Sequence, residues 1–266
     1  MTWLNDVHQA VKSNKGELVL KGATAELDDE TLQAEIFETM TNLNYLSITS
    51  SFVTRLSTTL SSAKNLLKLI LTYNELTEIP DVFEGLDRLQ FIDVSYNQLQ
   101  SLPQSIGELP NLESLIFNNN SVSQLPNLSK LANLHVIIGS HNSLESIPNS
   151  LFDLSQKLLV VDLSDNEIQE IDERISNLAH LKELRLTQNQ VKRVPFGLSE
   201  LPKLSILDLS TNPISDPRLK KLVNDPRMKR LAIQMVECYH LNNIFFNVEK
   251  AQKARLQALA NSLADR

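Results

Sequence analysis

The 266-residue chain reads as an α/β solenoid, a horseshoe of about eight repeats of 22–24 residues with a parallel sheet on its concave side and helical caps at both ends. Three observations carry this reading. An 11-residue apolar pattern returns at near-constant spacing, every full return holds an Asn at the same place, and both flanks drop the pattern in favour of helical periodicity.

The pattern is LxxLxLxxNxL, with Ile, Val or Phe allowed at Leu positions. Its units begin at Leu66, Leu89, Leu112, Leu134, Leu158, Leu181 and Leu204, at spacings of 23, 23, 22, 24, 23 and 23 residues. An eighth unit, LNYLSITSSFV from Leu43, fits the register but carries Ser51 where the others have Asn. Within a unit, alternating apolar residues such as Leu69 and Leu71, or Leu184 and Leu186, point to one side of a short strand. One repeat alone cannot bury that side, so neighbours must stack. The Asn column (Asn74, Asn97, Asn120, Asn142, Asn166, Asn189 and Asn212) falls where the chain leaves the strand and backbone groups lose their ladder partners. A buried amide offers both donors and acceptors to such groups. The second half of each unit (IPDVFEGLDRL, LPQSIGELPNL, LPNLSKLANL, IPNSLFDLSQKL, IDERISNLAHL, VPFGLSELPKL) is too short for a long helix and predicts short helical or 3₁₀ turns. The spacing and these backs resemble the intracellular leucine-rich-repeat family over about residues 43–214. The resemblance implies that residues between the buried leucines face a shared concave surface.

The chain divides into an N-terminal cap (1–42), the repeats (43–214) and a helical C-terminal cap with a tail helix (215–266). In the first, Trp3, Val7, Ala10 and Val11 recur at helical spacing. Leu18 and Leu20 alternate as in a strand, and Leu32, Ile36, Phe37 and Met40 form one helical face after the capping candidates Asp28 and Asp29. In the last, Asp216-Pro217 and Asp225-Pro226 each read as a helix start. Leu219, Leu222 and Val223 line the first helix, and Met228, Leu231 and Met235 the second. A final helix over about 248–263 carries Leu256, Leu259 and Leu263.

Composition bounds the function. The formal charge is −7, but residues 1–215 hold 15 Lys or Arg against 27 Asp or Glu, while residues 216–266 hold 10 against 5. That balance argues against a dedicated nucleic-acid binder, with the basic C-terminal helices (Arg218, Lys220, Lys221, Arg227, Lys229, Arg230) as the one candidate. Cys238 is the single cysteine, so no intramolecular disulfide can form and a reducing compartment is expected. The first residues lack the apolar core of a signal peptide, and no stretch reaches the ~20 apolar residues that cross a bilayer. The expectation is a cytoplasmic protein without a membrane anchor. The sequons at Asn119 and Asn127 read as accidents of an Asn- and Ser-rich chain.

Candidate binding residues lie between the buried leucines. Third positions are Tyr45, Lys68, Phe91, Ser114, Val136, Val160, Glu183 and Ile206; fifth positions are Ser47, Ile70, Asp93, Ile116, Ile138, Asp162, Arg185 and Asp208. Eighth positions include Tyr73, Tyr96, Asn119, His141 and Asp165. Ile70, Phe91, Ile116, Val136, Ile138 and Val160 are more apolar than a solvated face requires. With Tyr73 and Tyr96 beside them and Asp93, Asp162, Arg185 and Asp208 around them, they form an expected apolar stripe with a polar rim. Eight strands at about 4.8 Å give an arc of roughly 34 Å, which suits a helix or a protein edge. The competing account is that β-branched residues favour strands whatever the function, and that the tail helix covers part of the face.

Other chemistry has little support. His135 and His141 lack Cys or acidic companions at metal-ligand spacing, so no metal site is expected. Cys238 has no His or Asn arranged for nucleophilic work, and with 6 glycines the chain holds no GxGxxG or GxxxxGK[ST] loop. No cofactor and no catalytic residue is expected. A narrower likeness lies in the flanks: GELVLKG (16–22) and ISDPRLKKLV (214–223) are similar to segments bracketing the repeats of the leucine-rich repeat-containing protein 47 family. Members join such a solenoid to a domain resembling the B3/B4 module of phenylalanyl-tRNA synthetase beta chains. The resemblance implies a link to translation, but no room follows Arg266 for that domain, so its activity is not expected here. The leading expectation is a non-catalytic scaffold that binds a protein on its concave face. The alternative is an RNA- or translation-associated factor using the basic helices.

Overall fold

The computed structural model describes residues 2–23, 27, 30–154 and 157–224. Nine strands form one open parallel sheet in chain order: β1 (Glu17–Lys21), β2 (Tyr45–Thr49), β3 (Lys68–Ile70), β4 (Phe91–Asp93), β5 (Ser114–Ile116), β6 (Val136–Ile138), β7 (Val160–Asp162), β8 (Glu183–Arg185) and β9 (Ile206–Asp208). The register repeats at each step, with Leu69 beside Ile92, Ile92 beside Leu115, and Val161 beside Leu184. From β3 to β8 the strands are three residues long, the middle residue buried and its neighbours half-buried.

The core follows from that pattern. Leu66, Leu69, Leu71 and Leu76 of one repeat, and Leu181, Leu184, Leu186 and Val191 of another, are all buried. Each Leu so buried contributes about 1.5–3 kcal/mol of transfer free energy. The backs close the other side with Phe83, Ile106, Leu131, Leu151, Ile175 and Leu198. Four of them wind into 3₁₀ turns, at Gln104–Glu108, Asn149–Asp153, Glu173–Asn177 and Phe196–Glu200, and the back of the first repeat makes a fifth at Thr58–Ser62. Ser57 and Asp172 cap two of these by accepting backbone N–H bonds from Thr59 and Arg174.

The Asn column ties each repeat to the one before it. Asn166 Oδ1 accepts the Leu144 N–H at 2.9 Å, while its Nδ2 donates to the carbonyls of Gly139, Leu163 and Ser164 at 3.0, 3.1 and 3.2 Å. Asn97, Asn120, Asn142, Asn189 and Asn212 repeat this geometry, each accepting one N–H and donating to three carbonyls. Asn74 closes the series toward the N-terminus, accepting from Ser51 and Val53. Ser51, where the pattern lacks Asn, is buried and takes a smaller version of the role: its hydroxyl donates to the Thr49 carbonyl and accepts the Ala23 N–H.

A second Asn column precedes the first Leu of several repeats. Asn65, Asn111 and Asn133 donate to the carbonyls of Thr41, Asp87 and Pro110, each at 2.8 Å, where the backs return to the strands. The deviation Gly139, where other repeats carry Leu, Ile, Val or Phe, also has a cause. A Cβ there would lie 2.1 Å from Phe117 Cζ, so the large ring of one repeat fills the place vacated in the next.

The ends are closed by helices. The N-terminal cap is α1 (Thr2–Ser13), β1 and α2 (Glu30–Thr39), with Val7, Ala10, Ile36, Phe37 and Met40 buried. β1 pairs in parallel with β2 over its whole length, from Glu17 beside Tyr45 to Lys21 beside Thr49, so the cap adds a ninth strand to the sheet expected from eight repeats. At the other end, α3 (Pro217–Val223) starts on Asp216, whose Oδ1 accepts the N–H groups of Arg218 and Leu219 at 2.9 Å. The Asp28 and Asp29 caps, the side chains of Trp3 and Leu222, the helices expected after Asp225 and over 248–263, Cys238, and the basic residues Arg227, Lys229 and Arg230 lie outside what is described.

Candidate partner-binding face

The sheet turns its third and fifth positions to one face. Along the third-position column the neighbours are Tyr45, Lys68, Phe91, Ser114, Val136, Val160, Glu183 and Ile206; along the fifth they are Ser47, Ile70, Asp93, Ile116, Ile138, Asp162, Arg185 and Asp208. All are half-buried except Ser47 and Asp208, which are buried.

This register divides the expected stripe. Ile116 lies beside Ile138 and Val136 beside Val160, making a compact apolar square over β5, β6 and β7. Ile70 and Phe91 are set apart from it, because Asp93 separates Ile70 from Ile116 and Ser114 separates Phe91 from Val136. Phe91 is further engaged by its own chain. Lys68 Nζ sits 4.3 Å from its ring centroid and 5.7 Å from that of Tyr45.

The acidic residues have local work as well as a place on the rim. Asp93, Asp162 and Asp208 each accept, through Oδ1, the N–H of the Ser two residues on (Ser95, Ser164, Ser210) at 3.0, 3.1 and 3.2 Å. Such Asx turns end the strand and orient the carboxylate. The recurring Asp-x-Ser triplet was a readable signal for them. Arg185 pairs with Glu183 on its own strand at 2.6 Å, as residues two apart share a face.

The eighth positions form the rim at the strands' C-terminal ends, and all are left-handed. Ser50, Tyr73, Tyr96, Asn119, His141, Asp165, Gln188 and Thr211 have φ between 51° and 61°. For a non-Gly residue this costs about 1–2 kcal/mol. The conformation is enforced by a hydrogen-bond ladder that runs past the strands: the Tyr73 N–H donates to Ser95 O at 3.1 Å and the Asn74 N–H to Tyr96 O at 3.1 Å. Tyr73 and Tyr96 stack with ring centroids 4.1 Å apart and planes 10° from parallel, yet remain 54% and 43% exposed. The side-chain hydrogen bond with Tyr96 is the main cause that pushes the Tyr73 phenol above its ordinary value; desolvation, Tyr96 and the charge of Asp93 add to it. Further along the rim His141 Nδ1 contacts the Asp165 carboxylate. Phe52, in the first repeat, is 63% exposed with φ 52°, and Val19 of β1 is 57% exposed; neither stood out in the sequence, because both sit in units that depart from the pattern.

Two clefts lie off this face, built from residues after the Asn turns. One, of about 570 Å³, is lined by Gln124, Pro126, Asn149 and Arg174; the other, of about 880 Å³, by Glu145, Glu170, Lys192 and Arg193. In the first, the Arg174 guanidinium is held by Asp172 at 2.7 Å and Asn149 at 2.6 Å. Of the basic C-terminal candidates, Arg218, Lys220 and Lys221 are described and exposed on α3. Among the described residues no group of three or more His, Cys, Asp or Glu is placed to hold a metal ion, and no helix is long and apolar enough to cross a membrane.

A parallel solenoid with an Asn ladder and a half-exposed concave sheet defines the class. Residues 18–238 match the family model of the leucine-rich repeat region, and the chain belongs to that family. The disease resistance protein UNI of Arabidopsis thaliana is 34% identical over 93 residues, 35% of this chain and 10% of that protein. The chain thus matches about a tenth of the length of the first curated relatives. Among solved structures, a leucine-rich-repeat protein of Leptospira interrogans superposes with TM-score 0.69 at 25% identity, covering 82% of this chain and 61% of the other. The leucine-rich-repeat ectodomain of the Arabidopsis receptor kinase HAESA, solved with a peptide hormone ligand, gives TM-score 0.54 at 33% identity over 64% of this chain and 29% of that one. Leucine-rich-repeat solenoids are in general non-catalytic modules that bind protein partners.

Proposed function

We propose that this chain is a non-catalytic scaffold that captures a partner protein on its concave face in a reducing, cytoplasmic setting. The observation that supports this best is the apolar square of Ile116, Ile138, Val136 and Val160, half-exposed at the centre of a continuous sheet and bordered by Asp93, Asp162 and Glu183. Water gains nothing from these side chains, and a partner's apolar anchor gains desolvation. The sheet is held by its Asn ladder before any partner arrives, so little ordering entropy is lost on binding. The HAESA ectodomain with its peptide is a precedent for a ligand on this fold. The acidic repeat surface favours a basic rim on the partner and makes association fall with salt.

The test is affinity capture from cytosol with the wild type and a Phe91→Glu, Ile138→Glu pair in parallel. The variant should lose partners that the wild type retains. Its melting temperature should stay within about 2 °C, as for a surface change of about 0.5 kcal/mol. Retained capture would remove the concave face from the reading; a collapse in stability would assign both residues to the core.

A further inference from the structure

Nothing in the fold accounts for Tyr73 and Tyr96. They occupy the eighth position of consecutive repeats with φ 56° and 57°, a region that bulky side chains enter reluctantly. Elsewhere in the column the same left-handed position holds Ser50, Asn119, His141, Asp165, Gln188 and Thr211, so the backbone fixes the conformation and a smaller polar residue satisfies it. Neither ring is buried in exchange, since both remain about half exposed while stacked on each other.

We propose that the stacked Tyr73–Tyr96 pair, with Asp93 beside it, is a receptor for an arginine side chain carried by the partner. This rests on the concave-face reading and names the chemistry of the partner's anchor. A guanidinium is flat and weakly hydrated, and it stacks on an aromatic face while its N–H edge remains free for a carboxylate. Asp93 supplies that carboxylate. It lies on the Tyr96 repeat, three residues before that ring, and is paired across the sheet with Ile70, which stands three before Tyr73 on the neighbouring repeat. The Asx turn to Ser95 orients it through one oxygen.

The same face already shows the interaction within the chain, with the Lys68 ammonium over Phe91. The charge balance agrees: 27 acidic against 15 basic residues over 1–215 attract a cation to this surface and repel a phosphate backbone. A protein segment bearing arginine is therefore favoured over a nucleic acid stacking its bases on the same rings.

The experiment titrates the full chain with acetyl-Ala-Arg-Ala-Arg-Ala-amide and with the same peptide carrying citrulline for arginine, which keeps shape and removes charge. Tyr ring resonances are followed by NMR. Saturable shifts at Tyr73 and Tyr96 with the arginine peptide, and at least tenfold weaker binding of the citrulline peptide, are expected. Tyr73→Asn with Tyr96→Asn should weaken the arginine peptide at least tenfold with no fall in melting temperature, because Asn suits the left-handed backbone. Asp93→Asn, which can still accept the Ser95 N–H, should weaken it severalfold. Equal binding of the two peptides, or an unaltered titration in the Tyr variant, overturns the proposal, as does tighter binding of oligouridylate than of the peptide. Ile138→Glu separates the two readings: it should leave this titration unchanged even as it abolishes partner capture. A titration lost with Ile138→Glu and kept with the Tyr variant would move the arginine to the apolar square and overturn the rim site.

Discussion

Asn166 does in one side chain what a strand would need a neighbour to do. It sits where the chain bends away from the sheet, and its amide serves one N–H and three carbonyls from two repeats. Removing a buried partner costs about 1–3 kcal/mol for each group left without one. Asn166→Ala is therefore expected to lower unfolding free energy by at least about 2 kcal/mol, read from urea denaturation, with the partner-binding face intact. Such a role was legible from sequence, because only a buried amide recurs with this period at a turn. The Asp-x-Ser turns were also written in the sequence, but Asp93 and Asp162 there looked like rim charges alone. Electrostatics at the residue scale is sharpest on the convex side. The side-chain hydrogen bond from Arg174, then the Arg174 backbone N–H, hold the Asp172 carboxyl down at about 2. A carboxyl lowered on folding adds stability above its ordinary value near 3.8, and that addition fades as pH falls toward 2. Carboxyl NMR should place its midpoint near 2, and in Arg174→Ala that midpoint should rise toward the ordinary value.

At the scale of the element, each strand is short because the Asn turn cuts it off, and each back is short because 22–24 residues leave room for one 3₁₀ turn and a return. The repeat starting at Leu134 breaks the apolar rule with Gly139, and the structure supplies the reason in Phe117 of the preceding repeat. Gly139→Ala should destabilise by about 1–3 kcal/mol through overpacking. Phe117→Leu in the same chain should recover part of that loss, a coupling that a double-mutant cycle measures directly. Additive effects would show that the ring does not occupy the vacated space. The first strand illustrates the reverse case. Leu18 and Leu20 announced a strand, but ELVLK lacks the repeat signature, so its membership in the sheet depended on pairing with β2. Its exposed Val19 was invisible for the same cause.

The whole molecule is quasi-one-dimensional: every strand pairs with its chain neighbours, and stability is shared between adjacent repeats. Two ends must then be closed. The N-terminal cap covers the first repeat with β1 along β2 and with Ile36, Phe37 and Met40 in the core. Deleting residues 1–42 should expose Leu46 and Ile48 on an open edge. The truncated chain should elute as aggregate in size-exclusion chromatography, and a monomer of unchanged melting temperature would show the cap to be dispensable. The charge asymmetry is also a property of the whole, since a solenoid spreads sequence order along its length, leaving an acidic body ahead of a basic α3.

What the amino-acid order determined alone is the period, and with it the parallel sheet, the Asn ladder and the choice of residues facing inward, because burial at fixed spacing admits one stacking solution. What the tertiary structure decided is adjacency across repeats. Which apolar residues meet in a patch and which tyrosines stack depend on side chains some 23 residues apart, and no local pattern specifies how those settle against one another.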